Sequence, residues 1–187
     1  MAIKDSEELY FEKNNDILNE EIIDSNKFDY KKLFKYGCKM GKLECVKFLY
    51  DKYKLNIHID NEKAFYYSCK GGHLEVAKWL YGLDGKINIH AKHERAFRHS
   101  CNGEYLEVAK WLYGLDGKIN IHVNNEQLFN DVCDGGRVNC IKYLILLGDN
   151  SHMTDIHEAM INGIMSYYSK YGEIQNDSYI KKKKCYH

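Results

Sequence analysis

The chain has 187 residues and not one proline, so every turn and helix start must be built from other residues. Arginine is almost missing: Arg95, Arg98 and Arg137 stand against 24 lysines. With abundant asparagine, isoleucine and tyrosine, this composition points to an A/T-rich coding sequence. Net charge is also lacking, since 27 basic residues balance 27 acidic ones. A neutral body offers no wide basic patch of the kind nucleic-acid binders carry. No stretch approaches the ~20 apolar residues of a membrane-spanning helix. The start, M-A-I-K-D-S-E-E, lacks the charged-then-apolar order of a signal peptide. No C-x-x-C pair, nucleophile elbow, phosphate loop or metal-protease helix occurs. The expectation is a non-catalytic chain without cofactor, metal or small-molecule substrate.

What is present is duplication. Leu74 to His90 reads L-E-V-A-K-W-L-Y-G-L-D-G-K-I-N-I-H, and Leu106 to His122 repeats it 32 positions later. A fixed period of this size marks a stacked repeat array. Phe65, Phe97 and Phe129 keep the step, as do Cys69, Cys101 and Cys133, and Glu62, Glu94, Glu126 and Glu158. Phe34, Cys38, Leu43, Ala77's counterpart Val46, Leu49 and Tyr50 lie 31 positions ahead of their partners, so one residue is missing in the turn after the second helix. Four copies are expected over 29–158 (about 29–61, 62–93, 94–125 and 126–158). Residues 1–28 would form an N-terminal capping segment, and 159–187 a C-terminal cap with a lysine-rich tail, because terminal copies must face water.

One copy reads as helix, turn, helix and projecting loop. Asn61 is placed as N-cap, and Glu62 suits the positive end of the helix dipole. Phe65, Ser68 and Cys69 form the buried stripe of the first helix, and Gly71-Gly72 ends it. The second helix, about His73 to Leu83, buries Val76, Ala77, Leu80 and Leu83. Asp84-Gly85 breaks it, and Ile87 to His90 alternates like an extended arm. Ser68 and Cys69, Ser100 and Cys101, and Gly37 and Cys38 are small, which allows close helix approach. Neither helix is long enough to stand alone in water, so each must bury its stripe on a neighbour.

The run A-F-Y-Y-S-C-K-G-G-H-L-E-V-A-K-W-L-Y, followed by I-N after the turn, resembles the ankyrin repeat. Phe65 takes the family's leucine position, Ser68 and Cys69 its paired alanines, Gly72-His73 its glycine-histidine, and Ile87-Asn88 its loop pair. The threonine-proline helix start is absent: Ala64, Ala96 and Leu128 stand where proline would. The glycine-histidine pair survives in one copy only. The variant looks like the ankyrin arrays of large DNA viruses of amoebae. The tetratricopeptide repeat fits less well, because the Asp84–His93 connection is too long. The resemblance implies an all-α, ankyrin-type helix-turn-helix-loop solenoid with atypical capping ends.

Individual residues fit this frame. The cysteines at one position per copy are expected to be buried small hydrophobes, since packed helices lie too far apart for disulfides. His58, His90 and His122 form a loop ladder, expected to bond neighbouring backbone rather than zinc. Trp79 and Trp111 are placed in the core, where truncation removes about 3–5 kcal/mol. Lys181 to Lys184 make a basic tail.

The resemblance implies a protein-binding scaffold whose partner meets the loop tips and the exposed side of the first helices. On matching positions these are Asp60, Lys70, Lys92, Asn102, Asn124 and Asp134, with Tyr66, Arg98 and Asn130, which differ strongly between copies. The implied partner is an unidentified protein, a host protein if the chain is viral, and the implied location is cytoplasmic, with the nucleus left open. Two other classes stand beside it. One is a structural or self-assembling subunit, suggested by the tyrosine-rich end. The other is a nucleic-acid or nuclear factor using the lysine tail.

Overall fold

The computed structural model describes residues 29–116 and 118–147, with Gly163 and Ser166 as isolated positions beyond them; side chains 123–126 are not described. The expected capping segments and Lys181 to Lys184 lie outside these residues. The described part is all helical, in four pairs. They are α1 (Tyr30–Met40) with α2 (Leu43–Tyr53), α3 (Ile59–Lys70) with α4 (Leu74–Gly82), α5 (Ala91–Asn102) with α6 (Leu106–Asp116), and α7 (Val123–Asp134) with α8 (Val138–Leu147). The first helices α1, α3, α5 and α7 pack in one row, each on the next.

The core is the repeated stripe. Phe34, Phe65, Phe97 and Phe129 are buried, as are Cys38, Cys69, Cys101 and Cys133 one turn on. Ser68 and Ser100 are completely buried, and each hydroxyl donates to the carbonyl of Phe65 or Phe97 at 2.7 Å. That internal bond removes the penalty of burying a hydroxyl, so the small side chain can let neighbouring helices close together. Burial pushes the Cys38 and Cys69 thiols well up, so they behave as apolar filling.

The turn between paired helices needs one left-handed residue. Gly41, Gly72 and Gly136 take it with φ of 72°, 77° and 65°. The third copy has Glu104 there, at φ 61°. The residue after it donates its N–H back to the preceding helix, as in His73 to Ser68 at 2.9 Å and Tyr105 to Ser100 at 2.8 Å.

Two expectations change. The tryptophans are half-buried rather than core. Each lies edge-on to the tyrosine of the preceding second helix: Tyr50 with Trp79 at 5.6 Å, and Tyr81 with Trp111 at 5.9 Å. Tyr113 with Tyr143 continues the series at 6.4 Å. These rings bridge copies along the outer wall. The connection from Ile87 to His90 forms no strand, but its alternation holds, with Ile87 and Ile89 buried and Asn88 exposed.

Candidate partner-binding face

The loops carry an arrangement that periodicity alone does not show. Asp60, Asn61 and Glu62 all have φ near 60°, and so do Lys92, His93 and Glu94. Each loop thus contains one left-handed turn made of residues other than glycine, costing roughly 1–2 kcal/mol per residue. Asn61 is therefore not a side-chain N-cap. Glu62 is not merely a charge at a helix end, for it is buried and holds the turn. Its carboxylate accepts His58 Nδ1–H at 3.0 Å and the Asn88 backbone N–H, from the following loop, at 3.4 Å. Glu94 does the same with His90 at 2.9 Å and Asn120 at 3.3 Å.

His58 and His90 pair through their rings with carboxylates, not backbone. The other ring nitrogen of His58 bonds Asp84 at 2.9 Å, and that of His90 bonds Asp116 at 2.9 Å. Both raise the imidazole above its ordinary value near 6.5: Asp84 then Glu62 for His58, Glu94 then Asp116 for His90. Asp84 and Asp116 are held low, first by the N–H of Lys86 or Lys118 and then by the histidine. With carboxylates on both nitrogens, neither ring has a position left for a substrate proton. The constellation is a clamp between copies, not a catalytic group. No group of histidine, cysteine and carboxylates among the described residues is arranged to hold a metal.

The expected contact residues separate into several environments. Asp60 is exposed at a loop tip and pairs with Lys35 Nζ at 2.8 Å, which lowers its carboxyl. Lys92 is exposed at the next tip. Asn124 is the second residue of α7, its side chain undescribed. Lys70, Asn130 and Asp134 are exposed on the outer side of first helices. Arg98 is half-buried and donates its Nε–H to the His93 carbonyl at 2.8 Å, tying down a left-handed turn. Asn102 is half-buried and donates to Asp131 at 3.4 Å, while its Oδ1 is buried without a partner. Tyr66 departs from expectation. It is only 4% exposed, with the Arg95 guanidinium 3.9 Å above its ring and His99 edge-on at 5.3 Å. The following copy covers it.

The geometry also brings together residues not singled out from the sequence. Four outer positions recur on each first helix. They are Lys32, Lys35, Tyr36 and Lys39 on α1; Lys63, Tyr66, Tyr67 and Lys70 on α3; Arg95, Arg98, His99 and Asn102 on α5; and Gln127, Asn130, Asp131 and Asp134 on α7. The signal was available: the register positions read across copies, rather than along one, show charge running from basic to acidic. Whole-chain neutrality hid it. The basic end is felt locally, since burial first, and then Lys70, Arg95 and Arg98, depress His99 below its ordinary value.

Residues 34–80 match the family model of ankyrin repeats in many copies. No curated protein matches the chain. The match and the helical stack make the described part an all-α ankyrin solenoid. Ankyrin repeats are in general non-catalytic modules of protein–protein interaction. No helix among the described residues is long and apolar enough to cross a membrane.

Proposed function

We propose that this chain is a non-catalytic scaffold that binds a protein partner across the outer side of its first helices and the adjoining loop tips. One observation carries the reading. Positions inside the stack repeat nearly unchanged from copy to copy, whereas the outer register positions and loop tips differ in charge and size. Packing explains the first pattern; a surface adapted to one partner explains the second. The proline-free, lysine- and asparagine-rich composition fits a gene of a large DNA virus of amoebae, in which case the partner is a host protein met in the cytoplasm.

The test reverses exposed charges outside the buried stripe: Lys70→Glu, Lys92→Glu and Asp134→Lys in one chain. Capture of the partner from cells is expected to vanish while the thermal midpoint stays within a degree or two of the parent. Capture retained at parental level would move the binding surface to the second helices or the ends.

A further inference from the structure

We propose that the outer stripe of α1, α3 and α5 takes an acidic peptide segment, laid across the helices, whose chain turns basic or neutral where it reaches α7. This rests on the protein-binding reading above and specifies the partner's chemistry.

The stripe carries Lys32, Lys35 and Lys39 on α1, Lys63 and Lys70 on α3, and Arg95 and Arg98 on α5; the exposed carboxylates beside it among the described residues are Asp29, which caps the start of α1, and Asp60, which Lys35 engages. Among the described residues, Lys70 and Arg95 have no carboxylate ion pair, and Lys63 makes none either, though it lies near enough to Asp60 to help lower its carboxyl. They lie over tyrosine rings instead, Lys63 over Tyr67 at 5.8 Å and both Lys70 and Arg95 over Tyr66 at 5.9 and 3.9 Å. Cations held on ring faces are fixed in position while their charge stays unneutralised, so an incoming carboxylate meets preorganised donors. Tyr66 makes this arrangement by collecting one cation from its own copy and one from the next.

The polarity sets the ligand. Packed helices lie about 8–10 Å apart, so α1 to α5 covers about 20 Å. An extended chain advances about 3.3 Å per residue, which makes an acidic block of about six residues. One helix further, Asp131 and Asp134 replace the cations and repel a polyanion. A nucleic acid has no such change of sign along its backbone. It also needs open aromatic faces for base stacking, and here Tyr66 is buried and Tyr67 lies under Lys63.

The experiment uses the full chain and a fluorescein-labelled probe of six alternating Asp and Glu, a Gly-Ser spacer and two lysines, followed by fluorescence anisotropy. The probe is expected to bind, weakening steeply with added salt. Lys63→Glu with Lys70→Glu should weaken it about tenfold or more, and Lys32→Glu with Lys39→Glu, on a different helix, should do likewise. Both pairs leave the buried stripe untouched, and thermal melts confirm the fold. Asp134→Lys should abolish the preference for the two terminal lysines over two glutamates. The proposal falls if the probe does not bind, if neither pair weakens it, or if single-stranded RNA of equal charge displaces it and ignores Asp134→Lys. A displayed peptide library panned on the same chain separates the two levels. Enrichment of non-acidic sequences sensitive to Lys92→Glu overturns the acidic ligand and leaves the scaffold standing. Failure to enrich any sequence overturns both.

Discussion

Removing charge from the loop clamps should reverse an ordinary expectation about pH. His58 and His90 each bridge two carboxylates of the following copy, and both imidazoles are raised. A group with a raised folded-state value binds more protons folded than unfolded. Its contribution is complete below the unfolded value, near 6.5, and is lost as pH climbs through the folded value. Asp84 and Asp116 are lowered from 3.8, so their share is complete above that value and lost as pH falls through the depressed one. The clamps are therefore strongest between about pH 4 and 6.5 and weaken toward pH 8.5. Glu94 is 6% exposed, and its bond to His90 is 2.9 Å. A charge-assisted bond contributes about 1.5–3 kcal/mol, and a ring partly in solvent puts this one near the lower end, about 1.5 kcal/mol. For a chain of this size that is a shift of about 3–6 °C in midpoint. His58→Gln with His90→Gln keeps an amide donor for one of the two carboxylates and cannot carry the charge. Urea titrations followed by circular dichroism suit the test, because guanidinium salts would screen the effect. The parent should have its higher midpoint at pH 6 and lose stability by pH 8.5, and the double variant should be nearly flat. A parent that is flat or gains stability over that range, or a double variant that keeps the drop, refutes a charged bridging imidazole.

Three further outcomes follow from the packing. Glu104→Gly relieves the one left-handed turn within a helix pair not made by glycine and should stabilise the chain by about 0.5–1 kcal/mol after losing the Asn139 bond to Glu104, read as a higher urea midpoint. Trp111→Ala should destabilise by about 2–3 kcal/mol, less than a fully buried tryptophan, because the ring is half-buried against Tyr81 and Phe65; an unchanged melt would mean that these edge contacts contribute nothing. Cys38, Cys69 and Cys133, the last pushed up to about 12 by burial, should resist iodoacetamide at pH 8 in the folded chain and react on unfolding; mass spectrometry counts the labels.

The helix pairs were legible because their determinants are local or repeat at a constant step. Gly72 and Gly136 mark turns by themselves, and the Phe65, Cys69 and Leu80 registers recur in every copy. The clamps were not legible for a geometric reason. His58 meets Asp84 and His90 meets Asp116, each 26 residues ahead, and a histidine in a loop does not announce a partner at that distance. Tyr66 was misplaced for a related reason: its own helix leaves it outward, and Arg95 from the next copy covers it. The tryptophans looked like core because side-chain size suggests burial, whereas their positions lie at the edge of the second-helix stripe. The basic-to-acidic stripe disappears in any sum over the chain and emerges only when equivalent positions are compared.

The pairing of Lys35 with Asp60 acquires another meaning beside the duplicated segment. Since α4 and the start of α6 are the same sequence, a folding chain finds in its second-helix wall no information about which copy should come next. Skipping one module and seating the third against the first would satisfy most of the interior. It would also bring Lys92, the residue at Asp60's register, opposite Lys35, replacing attraction with repulsion. The solvent-side charges thus distinguish copies that the interior treats as interchangeable, by the modest energy of a surface ion pair.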